Sequence, residues 1–313
     1  MSKRKEEDQA MAAIKASPEV FRRALQIDTD KGPRSLDSVL DPWQRQDFEA
    51  LDDACRAIVG QPVKAKYLRA WLERPRGHSK SSDIAVVVTW LMFASERALT
   101  GIAVAADQDQ ARLLRDAISR LTRLNIWLTD IFDVQRDKIV NQFTGSTLTI
   151  ISADSDSAYG LTPDVVVMDE VTHWGASQNL WTAISSAIAK KPTCLCLCIC
   201  NAGFIGSWQW QIRETVRELP GWYFHALDGP QASWITPEKL EEQRRLLPIV
   251  AYNRLWLNQW STGSGDALSE DDIKAAITLP GPLVEPEEGC VYVAGVDLGL
   301  KRDAASLVVL AAR

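Results

Sequence analysis

The chain of 313 residues contains no run of 18 apolar residues, so no membrane-spanning helix is expected. The opening MSKRKEEDQAMAAIKAS has basic residues but no apolar stretch behind them, which argues against a secretory signal. Positive charge is also short: the formal net charge is −6. That balance argues against a passive nucleic-acid coat, which is normally strongly basic. It leaves room for a protein that grips nucleic acid locally, because patches matter more than the sum. The six cysteines do not form a disulfide framework, since Cys194, Cys196, Cys198 and Cys200 lie within seven residues. Reduced thiols in a cytosol fit this usage better. A zinc site is a poor alternative. Four residues at period two span roughly 20 Å of strand, whereas a tetrahedral site holds each sulfur about 2.3 Å from one ion.

What is present is an ordinary globular composition, 46% hydrophobic and 24% charged. The length suggests one large domain plus a fragment. Residues 1–40 are polar and read as a loose, flexible arm with one short helix near Pro18 to Leu25. Asp41 as N-cap with Pro42 at the first helical position starts a helix that runs to Val59. Beyond it, strands are expected at 66–72, 101–106, 164–169 and 193–200. Helices are expected at 81–95, 109–125 and 179–189, and strand-like alternation over 139–151 turns at Gly145-Ser146. In TCLCLCIC the cysteines face one way and Leu195, Leu197 and Ile199 the other, so both faces are apolar, as a central parallel strand requires. Strands alternating with helices predict an α/β fold with a mostly parallel sheet. A helix over 237–259, broken near Pro248, leads into a loop-rich linker at 263–289 with one short helix at 269–277. Two apolar strands, 290–297 and 304–312, follow around the turn LGLKRD.

Two segments carry chemistry. RPRGHSKSS (74–82) lies between a strand and a helix, with Lys80 and Ser81 placed to meet the β/γ-phosphates and a Mg²⁺ ion. Measured against G-x-x-x-x-G-K-[ST], Arg74 stands at the first glycine and Ser79 at the second. VVVMDE (165–170) is an apolar strand ending in two acids. Asp169 would hold Mg²⁺ and Glu170 would act as general base toward water. Either segment alone reads as readily as a basic loop or a buried strand with solvated acids. Their order along the chain points to a nucleotide site.

At these residues the chain resembles the large terminase subunits of tailed phages. R-x-x-R-G-H-S-K-S is similar to that family's deviant phosphate loop, and SADSDSAYGLTPDVVVMDEVTHW (152–174) looks like its lead-in through the acidic strand. DPWQ (41–44) resembles the adenine-side motif, with Gln44 on the base edge; Cys200-Asn201-Ala202-Gly203 matches the coupling motif, with Asn201 as the phosphate-state sensor. AGVDLGLKRDAASLVVL (294–310) looks like the opening hairpin of a ribonuclease-H-like nuclease, with Asp297 as first metal ligand and the rest of that site missing. Ser79 departs from the family's usual glycine.

The resemblance implies a P-loop NTPase of the additional-strand, catalytic-glutamate type over 41–262, followed by the linker and an incomplete nuclease domain at 290–313. ATP and Mg²⁺ are the implied cofactors, with Arg76, Gly77, His78, Ser79, Lys80 and Ser81 around the nucleotide. Double-stranded DNA, a portal protein, the terminase small subunit and further copies of the chain in a ring are the implied partners, in the host cytoplasm. A ring motor is expected to supply an arginine in trans. Arg136 is the candidate, with Arg112, Arg115, Arg120 and Arg123 competing. Two rivals stand: a helicase-like ATPase, which should lack the Asp297 hairpin, and a non-catalytic subunit whose phosphate loop is silenced by Ser79. His173, Trp174 and most of the twelve tryptophans are read as packing or interface residues.

Overall fold

The computed structural model describes residues 2–105, 108–152, 162–175, 177–262, 275, 277, 285–298 and 306–312. The lead-in at 153–161, most of the linker with its short helix, and the turn carrying Asp303 lie outside the described residues. The chain divides into two compact units, 1–264 and 265–313. Among the described residues no helix is long and apolar enough to cross a membrane.

The segment read as a loose arm is folded. It forms α1 (Ser2–Ala16), α2 (Pro18–Ala24), the paired short strands β1 (Gln26–Ile27) and β2 (Arg34–Ser35), and α3 (Leu36–Val39). The reason lies in a few apolar anchors within a polar stretch: Phe21, Leu25 and Leu36 are buried in the main core. Arg22 adds a bidentate pair with Asp52 at 2.6 and 2.7 Å. That aspartate lies on α4 (Pro42–Ile58), which starts at Pro42 as expected and buries Trp43, Gln44, Asp47, Phe48 and Leu51 along one side.

The sheet is built from β3 (Arg69–Glu73), β4 (Thr100–Ala105), β5 (Phe132–Val134), β6 (Lys138–Asn141), β7 (Thr147–Ser152), β8 (Val165–Asp169), β9 (Leu195–Cys200) and, with the two-residue β10 (Phe204–Ile205) standing apart, β11 (Trp222–Ala226). Its order is β11-β3-β9-β8-β4-β7-β6-β5, with eight strands. The first six are parallel; β5 and β6 add an antiparallel edge, joined to β7 by the turn at Gly145, whose φ of 73° favours glycine. Helices α5 (Lys80–Ala94), α6 (Gln108–Leu124), α7 (Ile126–Thr129), α8 (Asn179–Ala189) and α9 (Trp208–Glu218) supply the crossovers and covering layers. α5 is apolar all round and buried from Ile84 to Phe93, which explains why its run of valines is a helix rather than a strand.

Strand periodicity assigns each face its own core. Ala70, Leu72, Ala103, Val165, Val167, Leu195, Leu197 and Ile199 join one cluster, with α4 and α5. Trp71, Ile102, Val166, Met168 and Cys194, Cys196, Cys198 and Cys200 join the other, with α8. The alternation expected in TCLCLCIC is thus the structural one, and β9 sits between β3 and β8 at the centre of the sheet. α9 and β11 were not anticipated; β11 joins β3 as a parallel edge strand. The expected helix at 237–259 is two, α10 (Pro237–Leu246) and α11 (Ile249–Trp256), parted at Pro248, and β12 (Ser261–Thr262) pairs with β10. The second unit contains an antiparallel hairpin, β13 (Val291–Asp297) with β14 (Ser306–Ala312), in which Asp297 faces Ser306 at the turn end.

Candidate functional site

Register aligns the carboxyl ends of three neighbouring strands. Glu73 pairs with Cys200 and Asp169 with Ile199. The loop 74–79, Asn201, and the Asp169-Glu170 pair therefore leave the sheet side by side, where open α/β sheets bind ligands. One strand, β9, separates the loop strand β3 from the acidic strand β8.

The loop is anchored before it turns. Arg74, at the first glycine position of the sequence pattern, is 2% exposed. It reaches Asp47 of α4 at 2.6 Å and Asp83 of α5 at 2.7 Å, and stacks on Trp43 at 4.6 Å. Burial pushes Asp83 up against the pull of Arg74; for Asp47, burial is outweighed by His225 and Arg74, which hold it below its ordinary range. Gly77 turns with φ 76°, and Ser79 takes the left-handed conformation, φ 44°, that a glycine adopts without strain. Ser79 Oγ donates to Asp83 at 2.9 Å. Gln44 Nε2 donates to Ser79 Oγ and Asp83, each at 3.0 Å, and its Oε1 accepts from Asp41 N at 3.0 Å. Gln44 is thus a strut under the loop, with both ends of its amide engaged inside the protein rather than turned toward a base.

His78 is buried too. Its Nε2 accepts from the backbone of Gln231 and Ala232 at 3.0 and 3.1 Å, so Nδ1 carries the proton, donated to Arg76 O at 3.0 Å. Burial, with Lys80 and Arg74 nearby, holds His78 below its ordinary range and in this neutral form. Trp234 donates to Gly77 O at 2.8 Å, and Arg76 N donates to Leu255 O at 2.6 Å. Of the loop side chains, Arg76 is left exposed.

Lys80 begins α5 and points back into the loop. Its Nζ donates to the carbonyls of Arg74 and Pro75 at 3.3 and 3.4 Å and lies 3.2 Å from Glu170 Oε1. Ser81 Oγ donates to Asp169 Oδ2 at 3.2 Å, while Asp169 Oδ1 and Glu170 Oε2 are buried with no hydrogen-bond partner among the described residues. Burial, then the charge of Glu170, pushes Asp169 up to about 7. A magnesium ion fits this donor set: a hydroxyl, one carboxylate with a spare buried oxygen, and room for phosphate and water ligands, since Mg²⁺ is usually held by one or two carboxylates plus substrate oxygens. Glu170 is left-handed, φ 49°, a strained backbone of the kind that clusters at functional sites. Trp174 donates to Asp169 O at 2.9 Å, and His173 Nδ1 lies 3.5 Å from Glu170 Oε2. His173 is therefore part of the site's surroundings rather than a packing residue alone.

Asn201, 2% exposed, follows β9 and donates to Ala202 O at 3.1 Å. The residue that joins this loop to its neighbours is one the sequence reading missed. Asn258 Oδ1 accepts from Ala202 N at 2.9 Å, and its Nδ2 donates to Glu73 O and Leu227 O at 3.2 and 2.9 Å. It ties the ends of β3, β9 and β11 together from a left-handed position, φ 56°. Gly203 admits this strap, because a Cβ there would stand 2.8 Å from the Trp260 ring. Arg136 is elsewhere: it turns between β5 and β6, is largely exposed and meets Asp137 at 3.7 Å.

Residues 64–216 match the family described as terminase large subunit, ATPase domain. No curated protein matches the chain. Among solved structures, the large terminase of bacteriophage HK97 superposes with a TM-score of 0.64 at 18% identity, covering 94% of this chain and 64% of that one. The ATPase domain of the large terminase of Thermus phage P74-26 gives 0.52 at 18% identity, covering 69% of this chain and 97% of that domain. A large terminase from a thermophilic bacteriophage in complex with ADP gives 0.52 at 14% identity, covering 83% and 65%. At these identities the likeness is one of fold. The resemblance read from the motifs holds over the matched segment, and the chain spans 64% of the HK97 protein's length.

Proposed function

Taking residues 64–216 as a terminase large-subunit ATPase domain, we propose that this chain hydrolyses ATP to drive double-stranded viral DNA into a procapsid. The observation that carries the reading is the meeting of Lys80, Ser81, Asp169 and Glu170 at the aligned ends of β3 and β8, with β9 between them. That strand order supports the additional-strand, catalytic-glutamate class of P-loop NTPase.

Lys80 would leave the carbonyls of Arg74 and Pro75 for the β- and γ-phosphates of ATP, adding charge where it develops in the transition state. Arg76, Gly77 and Ser79 would line the phosphates. His78 is assigned a different task from the one its sequence position suggests: it holds the loop to residues 231–232. Ser81 and Asp169 would hold Mg²⁺, which when bound neutralises phosphate charge. Glu170 would orient a water in line with the γ-phosphate and take its proton as the new P–O bond forms and the bond to the ADP oxygen breaks. Asn201, tied through Ala202 to Asn258, would carry the state of the site toward 255–262. Arg136, exposed on the antiparallel edge, remains the candidate for a neighbouring subunit's site in a ring. The hairpin bearing Asp297 is read as the opening of a ribonuclease-H-like nuclease domain. Portal protein and the small terminase subunit are the proposed partners. ADP in the neighbouring terminase structure supports a nucleotide as ligand.

The test is phosphate release from Mg-ATP by the 313-residue chain, with and without double-stranded DNA. Turnover that rises with duplex DNA and disappears in Lys80→Ala supports the reading. Turnover indifferent to Lys80→Ala would refute it.

A further inference from the structure

Arg254 is a cation with no assigned task. It lies on α11, next to Leu255, whose carbonyl accepts from Arg76 N of the phosphate loop at 2.6 Å. Its Nε donates to Ala202 O at 3.4 Å, on the loop that follows β9, and its guanidinium lies 3.9 Å from the Phe204 ring centroid. It therefore stands between the phosphate loop and the loop after β9, fixed to the second and adjoining the first.

Its surroundings are wrong for a structural ion pair. Among the described residues no carboxylate lies in ion-pair contact with Arg254, and partial burial alone lowers its pKa. Its charge is felt at the site: after burial, Glu170 favours the protonated form of His173, and Arg254, Lys80 and Arg76 oppose it. A half-buried guanidinium without an ion-pair partner is costly unless an anion shares the space. The planar fork of arginine suits a phosphoryl group, which it can engage through two parallel N–H bonds.

We propose that Arg254 binds the terminal phosphate of a nucleoside triphosphate held by its own chain, so that the site distinguishes triphosphate from diphosphate. The proposal rests on the reading of Lys80 and its loop as a nucleotide site. Phosphate bound to Arg254 draws α11 toward the loop that carries Lys80, while the Nε bond keeps α11 on Ala202. Loss of the γ-phosphate removes that attachment and leaves the Arg76–Leu255 backbone bond and the Nε bond to Ala202. Arg254 thereby acts within one subunit, independently of any arginine offered from a neighbour.

The experiment is calorimetric titration of the 313-residue chain with Mg-ATPγS and with Mg-ADP. The parent, Arg254→Met, Arg254→Lys and Lys80→Ala are compared. The methionine keeps an unbranched apolar stem over Phe204 and removes the charge. Arg254→Met is expected to weaken ATPγS about 10- to 100-fold, the range for losing a hydrogen bond to a charged group, with ADP affinity unchanged. Arg254→Lys should fall between it and the parent, and Lys80→Ala should lose both nucleotides. If Arg254→Met loses both through misfolding, the lysine variant decides: a selective loss of ATPγS supports the proposal, an unchanged ratio of the two affinities overturns it. An unchanged ratio in a methionine variant that still binds ADP overturns it as well. A parent that binds neither nucleotide removes the underlying site, a result distinct from one confined to the Arg254 variants.

Discussion

Arg74 should matter to stability far more than its place in a loop suggests. It joins α4 and α5 through Asp47 and Asp83, with all three side chains at 6% exposure or less. Arg74→Met would leave two buried carboxylates without their shared cation, and breaking a buried pair in this way costs about 3–5 kcal/mol. For a unit of this size 1 kcal/mol shifts the melting temperature by roughly 2–4 °C, so a fall of about 10 °C is expected. The two acids should not be equivalent. Burial raises Asp83 while His225 and Arg74 hold Asp47 down, so the folded protein favours the charged form of Asp47 and disfavours that of Asp83. Asp83→Asn should therefore cost less than Asp47→Asn. In a double-mutant cycle, Arg74→Met in the Asp47→Asn background should cost less than in the parent, by about 1 kcal/mol or more for residues in direct contact. Thermal unfolding followed by circular dichroism reads all five proteins. A melting temperature for Arg74→Met within about 2 °C of the parent, well under the shift expected for a broken buried pair, would refute the reasoning, as would strict additivity.

Further expectations concern His78 and Arg136. The folded state holds His78 below its ordinary value, so the stability it contributes is present above about pH 6.5, the unfolded value, and is lost as pH falls toward the folded one. Urea midpoints measured across that window should slope less in His78→Gln than in the parent, and equal slopes would contradict the buried neutral tautomer. Amide exchange at Gln231 and Ala232 should also quicken in His78→Ala, because both N–H groups lose their acceptor. An arginine supplied in trans is worth on the order of 10³ to 10⁵ in rate. Arg136→Ala subunits mixed with parent should therefore depress activity below the parent fraction, whereas activity that tracks this fraction would remove Arg136 from the role.

Local pattern made the sheet legible. The apolar runs VVVM and CLCLCIC read as central strands, and the alternation of cysteine with leucine and isoleucine assigned each face correctly. That Lys80, Ser81, Asp169 and Glu170 meet was legible because each lies at a strand end or helix start, where sequence neighbours fix position. Residues that depend on distant partners were not. Gln44 was read toward a base, but it is spent on Ser79 and Asp83, which no local pattern links to it. Asn258 and Arg254 meet Ala202 across more than fifty residues of sequence, and no local pattern around RLWLNQW links them to it. The arm was misjudged because Phe21 and Leu25 are few among many polar residues, although they decide its packing. β11 went unseen although Trp222, Tyr223 and Phe224 favour a strand; its side chains are half-buried at the sheet edge.

The claim on which the rest depends is that Glu170, held 3.2 Å from Lys80 at the end of β8, is the base that readies water for attack. Single-turnover phosphate release from Mg-ATP by Glu170→Gln, with protein in excess so that all nucleotide is bound, and beside the parent, tests it most directly. The variant should bind ATP as the parent does and release phosphate at least about 100-fold more slowly, the lower end of what a general base contributes. Equal release rates in the two proteins would contradict it.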